Sequence, residues 1–369
     1  MANMKRRSFL KQASAGVAAG AVTTIAGAPA IAADYPAVKW RMASSFAKSL
    51  DTIYGGGEYL AERIKQLTDG KFVIQVFAGG ELVPGLKVLD AVQDGTVECG
   101  HSASYYYVGK NKTFAFDCAL PFGLTTRQQN AWMYYGGGLQ LMREFFAQSN
   151  IVNFPGGNTG TQMGGWFRNE VKSLADLKGV KMRIPGFGGE IMSKFGVIPQ
   201  TLAPGDIYPA LEKGTIDATE WIGPYDDEKL GFYKIAKHYY YPGWWEPETQ
   251  LSFYVNAKEW AKLPKLYQEV FTSAAAEVNL NMVAAYDHKN PQAMLSLLSK
   301  GVKLHRFSKD IMVAAHKTAF ELYEDEATKN PAFKKIYTEW TQYRSTIQRW
   351  HGLAEHTMEN FLYTTGTRK

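Results

Sequence analysis

Two glutamates stand in surroundings that rarely tolerate a free carboxylate. In the stretch IDATEWIGPYDDEK (Ile216 to Lys229), Glu220 and Trp221 close an apolar run that reads as the end of a buried strand. In YYYPGWWEPE (Tyr239 to Glu248), Glu246 follows Trp244 and Trp245. Carboxylates are seldom buried unless they are paired or hold a metal. One partner is at hand in GVKMRIP (Gly179 to Pro185). There Val180, Met182 and Ile184 alternate onto one strand face, which leaves Lys181 and Arg183 on the other. An arginine near a strand end suits bidentate capture of a carboxylate. A structural ion pair between Arg183 and Glu220 is the alternative reading. For Glu246 the alternative is a surface turn whose aromatics belong to the core. Gln162 and Asn158 offer neutral oxygens from a Gly-rich segment, although polar residues are common in turns. Asp226, Asp227 and Glu228 read as a solvated turn that opens a helix.

Other chemistries find no footing in the sequence. GFGGEI has Ile191 where a dinucleotide fingerprint needs glycine, and GKNKT has Asn111 after Gly-Lys, so it is no phosphate loop. There is no Cys-x-x-Cys pair and no Gly-x-Ser-x-Gly elbow. His351 and His356 are five residues apart, which splays them on a helix and argues against zinc. The residues point to binding and not to catalysis.

These side chains need elements to hold them. From Lys39 the chain reads strand, helix (about 54 to 68), strand, helix (about 86 to 93), strand. That alternation means a mostly parallel α/β sheet. AVQDGTVECGH (Ala91 to His101) matches ALEKGTIDATE (Ala210 to Glu220) at an offset of 119 residues. Gly95 and Gly214 fit the left-handed position that closes a helix. Two similar α/β lobes would explain the match, and chance recurrence of a common turn is the competing account. In this alignment Glu220 falls opposite His101. NIVNFPGGNTGTQMGGWFRN (Asn150 to Asn169) reads as two short strands about a Gly-rich turn. GFGGEIMSKFG opens a helix. Beyond Pro264 the pattern is helical, with a break or kink expected at Asn290-Pro291. The expected fold is α/β, two-lobed, with a mixed sheet in each lobe and a helical C-terminal region. The expected spans are 1–32 for a leader, 33–157 mainly lobe 1, 158–255 mainly lobe 2, and 256–369 for a helical region that crosses between lobes and ends in a long helix.

The leader is itself informative. A basic start, a weakly apolar run and the small-residue site Ala30-Ile31-Ala32 make an export signal. Arg6-Arg7 followed by Ser8-Phe9-Leu10-Lys11 resembles a twin-arginine signal, with an ordinary secretory signal as the alternative. The mature chain would begin near Ala33, in the periplasm. The formal charge of the 369-residue chain is +6, but four basic residues lie in the leader; the rest carries 37 basic and 35 acidic side chains. That balance gives no case for nucleic acid. Cys99 and Cys118 could pair in an oxidising compartment, or stand as two buried thiols. Near the C-terminus Trp340, Tyr343, Ile347, Trp350, Ala354, Thr357 and Phe361 recur at alternating spacings of three and four. Such a stripe needs a partner surface, either the protein's own lobes or a second copy in a homodimer, with Glu326 to Lys334 as the joint.

The segments GGNTGTQMGGWFR, LKGVKMRIPGFGGEIMSKFGVIP, DIYPALEKGTIDATEWIGPYDDEKLGFYKIAKHYYYPGWW and ELVPGLKVLDAVQDGTVECGH resemble the substrate-binding proteins of TRAP transporters, the DctP-like family. The similarity is greatest to the sodium-dependent 2-oxo acid binding type and runs from about Lys39 to the C-terminus. The resemblance implies two lobes closing on a small monocarboxylate, no catalysis, and delivery to TRAP membrane transporter subunits. By resemblance Arg183 is the substrate-carboxylate arginine. Gln162, Glu220, Trp221 (through its backbone carbonyl) and Glu246 are cation ligands. Asn158 and the tyrosine run 105–107, Tyr106 in particular, match substrate-contacting segments. This chain departs from the pattern at Glu246-Pro247-Glu248, where small residues are expected after the first Glu. Two glutamates and a substrate carboxylate carry −3 against +1 from Arg183, so a metal-free cleft would repel its ligand. Sodium leaves the group at −1 and calcium brings it to zero. Resemblance favours Na+, with Ca2+ as the alternative. The function that follows is capture of a pyruvate-like 2-oxo acid with a cation. A receptor for lactate or another carboxylate with calcium, and an exported enzyme, are the other readings.

Overall fold

The computed structural model describes residues 35–366. The expected leader, with its twin-arginine motif, lies outside the described residues. The account below concerns the compact unit that begins at Ala37. The chain starts with β1 (Val38–Ser44), α1 (Ile53–Leu67), β2 (Phe72–Phe77), α2 (Val88–Gln93) and β3 (Cys99–Ser102). In β1 the alternation is clean: Trp40 and Met42 are buried while Lys39 and Arg41 are exposed. Two helices, α3 (Thr126–Tyr135) and α4 (Gly138–Ala147), lead to β4 (Ile151–Asn158). A second set follows: β5 (Trp166–Phe167), β6 (Lys181–Arg183), α5 (Gly186–Lys194), β7 (Ile198–Gln200), α6 (Pro204–Glu212), β8 (Ala218–Thr219), α7 (Pro224–Leu230) and β9 (His238–Tyr241). The chain ends with β10 (Gln250–Asn256), α8 (Ala257–Lys262), α9 (Lys265–Ser299), β11 (Lys303–Arg306), α10 (Lys309–Lys329), α11 (Pro331–Leu353) and α12 (Glu355–Gly366).

Among the described residues the strands form two mixed sheets, ordered β2-β1-β3-β10-β4 and β7-β6-β8-β5-β9-β11. The two orders correspond. In each, three parallel strands from a βαβαβ run come first, then one antiparallel strand. This is the duplication that the 119-residue offset suggests. Gly95 (φ +76°) and Gly214 (φ +73°) both hold the left-handed position after their helices, where a side chain would be strained.

The antiparallel strand of each sheet sits next to a crossing. The chain leaves the first sheet at β4, crosses through residues 159–165 and enters the second as β5. It leaves the second at β9, crosses through residues 242–249 and returns to the first as β10. The stretch Asn150 to Asn169 is therefore two strands about a Gly-rich segment, as expected, but the strands belong to different sheets. Likewise β10 lies in the first sheet, although all of it but Asn256 falls within 158–255. The crossings run side by side, with Gly243 N–H donating to the Gln162 carbonyl at 3.0 Å, Gln162 N–H to the Glu246 carbonyl at 3.2 Å, and Thr159 N–H to the Thr249 carbonyl at 3.1 Å. A Cβ on Gly243 would lie 2.5 Å from the Gln162 carbonyl oxygen and 2.6 Å from that of Met163, so only glycine permits this approach.

Of the break or kink expected at Asn290-Pro291, the break does not occur: helix α9 passes through Pro291 without ending. Proline removes one helical hydrogen bond, but tertiary contacts hold the helix on both sides of it. Tyr286 Oη donates to Asp226 at 2.8 Å, Asn290 Oδ1 accepts from Tyr225 N–H at 3.1 Å, and Ser296 Oγ donates to Glu228 at 2.5 Å. The C-terminal stripe divides. Trp340 is buried against Phe116 and Tyr337, and Tyr343 and Ile347 are partly buried against the core. Beyond Gly352, a weak helix former, the expected long helix breaks at Ala354 and continues as α12. Cys99 and Cys118 are free and buried, and burial raises both thiols well above the ordinary range. No helix among the described residues is long and apolar enough to cross a membrane.

Candidate functional site

Arg183 and Glu220 come together because β6 and β8 are parallel neighbours. Arg183 is in register with Thr219, and Glu220 N–H donates to the Arg183 carbonyl at 3.1 Å. This is the carboxyl end of an open α/β sheet, where such folds place ligands. Both side chains are fully buried and form an ion pair through Nη1 and Oε1. Arg183 also donates to the Glu220 carbonyl at 3.3 Å from Nη1 and to the Leu202 carbonyl at 3.4 Å from Nε. The Trp221 and Tyr106 ring centroids lie 5.3 and 6.0 Å from the guanidinium carbon, within cation–π range. The ion pair is real, yet it does not satisfy the arginine: Nη2 has no partner.

Gln162 is held by one threonine from each crossing. Its Nε2 donates to Thr159 Oγ1 at 3.2 Å and to Thr249 Oγ1 at 2.8 Å. Both amide hydrogens are engaged, and Oε1 is left without a partner. Glu246 is buried on the second crossing with Oε2 unpartnered, as is Oε2 of Glu220. An unsatisfied buried polar atom costs about 1–3 kcal/mol, and more when charged. Three acceptor oxygens and one N–H donor are thus left open: oxygens suit a hard cation, and a free guanidinium edge suits a carboxylate. Among the described residues no group of three or more His, Cys, Asp or Glu side chains is placed to hold a metal. Two acids with a neutral amide oxygen are a donor set that suits sodium or calcium better than zinc.

The electrostatics agree. Burial pushes the Glu220 carboxyl up to about 7, against the pull of Arg183. Glu246 is held well above the carboxylate range, by burial first and then by the charge of Glu220. Burial pulls the Arg183 guanidinium down, but Glu220 with Tyr106, Tyr105 and Glu246 together hold it above its ordinary value.

Asn158 is anchored from both sides of its amide. Its Oδ1 accepts from Thr126 Oγ1 at 2.9 Å and Gly160 N–H at 3.0 Å, and its Nδ2 donates to Glu248 at 2.6 Å. Glu248, unexpected from sequence, is a third buried acid, raised by its burial. A small cavity beside Gln162 and Trp221 is walled by Phe46, Ile53, Ala103, Tyr105 and Leu251. Asp226 and Asp227 are not a solvated turn. They do open helix α7, but both are buried, since Tyr286, Trp166 and Tyr239 supply donors. Nothing in the acidic run DDE distinguishes these two from a surface cap. The threonines that fix Gln162 likewise leave no trace in sequence.

Residues 43–330 match the family described as bacterial extracellular solute-binding protein, family 7. The chain is 51% identical over 360 residues to a monocarboxylate 2-oxoacid-binding periplasmic protein of Nostoc sp., covering 97% of this chain and 99% of that one. A TRAP transporter solute-binding protein of Bordetella bronchiseptica is 52% identical with a TM-score of 0.89, over 90% of this chain and 99% of that one. Its crystal structure is a dimer of mixed occupancy, with copurified calcium and picolinate in one site and the other empty. A TRAP solute-binding protein of Pseudoalteromonas atlantica, 38% identical with a TM-score of 0.85 over 88% and 98% of the two chains, was crystallised with sodium and pyruvate.

Removing one partner from the buried ion pair should cost far more than removing both. In cation-free urea unfolding, Arg183→Met is expected to lose roughly 3–5 kcal/mol, and the double variant Arg183→Met/Glu220→Leu to recover most of it. Equal losses for the single and double variants would show that the two charges do not depend on each other.

Proposed function

The chain belongs to family 7 of the bacterial extracellular solute-binding proteins, the DctP-type receptors of TRAP transporters, and on that premise we propose that it captures a pyruvate-like 2-oxo acid together with a sodium ion. The observation that carries this reading is the set of unpartnered buried atoms: Glu220 Oε2, Glu246 Oε2, Gln162 Oε1 and Arg183 Nη2. In the proposed complex the Arg183 edge takes the substrate carboxylate. The two glutamates, Gln162 and the Trp221 carbonyl hold the cation, which bridges to the substrate. Tyr106 and Asn158 flank the carboxylate, and the cavity walled by Phe46, Ile53 and Leu251 takes the alkyl group. Each methylene buried there contributes about 0.8 kcal/mol. The 2-oxo acid specificity of the Nostoc protein and the sodium–pyruvate pair of the Pseudoalteromonas protein support the assignment. Charge balance, and the calcium in the Bordetella protein, support calcium as the competing cation. The family is one of receptors that work with membrane TRAP components from the periplasm, and we propose twin-arginine export for this member.

Pyruvate should bind at one-to-one stoichiometry in calorimetry, with a change in tryptophan fluorescence and no product. Arg183→Lys keeps the charge but loses the planar fork. It is expected to cost about 2–5 kcal/mol of affinity; unchanged affinity would remove Arg183 from the site.

We further propose that the C-terminal helices pair two copies of the chain. Trp350, Leu353, Met358, Phe361 and Leu362 are each more than half exposed, and exposed large apolar side chains gathered in one short stretch are the material of an interface. Light scattering should give about twice the chain mass, falling to one chain on truncation before Trp350. A single-chain mass at every concentration would sink the pairing.

A further inference from the structure

The Trp221 carbonyl is proposed as a cation ligand, yet a backbone oxygen has no rotamer of its own to aim it. Its direction is fixed by the peptide plane it shares with the N–H of Ile222. The two groups of a trans peptide point in opposite directions, so whatever binds the Ile222 N–H decides where the Trp221 oxygen points. That group is Asp227: the Ile222 N–H donates to Asp227 Oδ1 at 3.3 Å. Asp227 is only 1% exposed and its other oxygen is doubly anchored. Oδ2 accepts from Trp166 Nε1 at 2.8 Å and from Tyr239 Oη at 2.7 Å. Those donors stand on β5 and β9, neighbours in the second sheet, with their rings stacked at 3.9 Å. The next peptide is tied as well, since Met163 N–H of the first crossing donates to the Ile222 carbonyl at 2.9 Å. Among the described residues no donor bonds to the Trp221 carbonyl oxygen.

We infer that Asp227 is the positioning residue of the cation site: anchored to the sheet by Trp166 and Tyr239, it holds the Ile222 N–H and so turns the Trp221 carbonyl into the cleft. This rests on the cation reading above and deepens it. The carboxylate does not touch the ion. It orients a neutral ligand and makes that oxygen more negative by hydrogen bonding at the far side of the same peptide. Outer partners of this kind are typically worth 10–100-fold in metal affinity.

The chain contains a single Trp-Ile pair, Trp221-Ile222, so carbonyl-13C tryptophan with 15N isoleucine labels one peptide in the intact protein. Calcium and sodium are titrated separately in the presence of pyruvate, by calorimetry and by NMR of that peptide. The cation should shift the labelled carbonyl, with the Ile222 amide protected from exchange before and after. Asp227→Asn should lose 10–100-fold in cation affinity, because an amide cannot accept from all three donors. Tyr239→Phe removes one anchor, spares the Ile222 bond, and should lower the melting temperature while cation affinity stays within about two-fold. Absence of cation heat in the unaltered protein would overturn the cation reading itself. Cation heat without a shift of the labelled carbonyl, or with Asp227→Asn binding as the unaltered protein does, would overturn the role of Asp227 alone. Should Asp227→Asn not fold, the labelled-peptide measurement on the unaltered chain decides.

Discussion

One buried arginine faces two buried glutamates, and that imbalance governs the rest of the structure. A buried ion pair roughly breaks even against an apolar pair, but a lone buried charge costs several kcal/mol. Arg183 offsets one acid only. The second, Glu246, therefore holds a proton or meets a cation; burial raises both carboxyls, and the charge of Glu220 raises Glu246 further. An anionic substrate entering this cleft adds to the deficit unless a cation enters with it. Coupling between substrate and ion is thus a consequence of charge at low dielectric before any detail of coordination is considered.

The fold is arranged so that neither lobe owns the site. Arg183, Glu220 and Trp221 come from the rim of the second sheet. Gln162 and Glu246 come from the first two crossings, which are bonded to each other through Gly243, Gln162 and Thr159. The threonines that fix Gln162 stand one on each crossing. A shift of one lobe against the other moves the crossings and hence two of the four proposed ligands. Asp51 of the first lobe also accepts from Tyr225 Oη at 2.9 Å and pairs with Lys229, both on α7 just beyond Trp221.

The strand–helix alternation and the duplicated helix–Gly–strand turn were legible in sequence because each rests on a local rule, periodicity in one case and a left-handed glycine in the other. Arg183 beside Glu220 was legible too, since the strand in GVKMRIP ends near Arg183 and the repeated strand ends at Glu220. Pro291 misled because a local breaker was overridden by Tyr286, Asn290 and Ser296 gripping α7. Asp226 and Asp227 misled because acidic residues at a helix start usually cap it in water; their donors come from Trp166, Tyr239 and Tyr286, 12 to 61 residues away. The break at Ala354 and the half-buried, half-exposed C-terminal stripe depend on where the core ends, which no spacing encodes.

The central claim is that ion and substrate stabilise each other through one shared site. Its direct measurement is a closed thermodynamic cycle: pyruvate affinity with and without saturating cation, and cation affinity with and without saturating pyruvate, by calorimetry at fixed pH. Linkage requires both arms to give the same factor, and the account predicts that factor to be well above one. Identical pyruvate affinity in cation-free and cation-saturated buffer would contradict it.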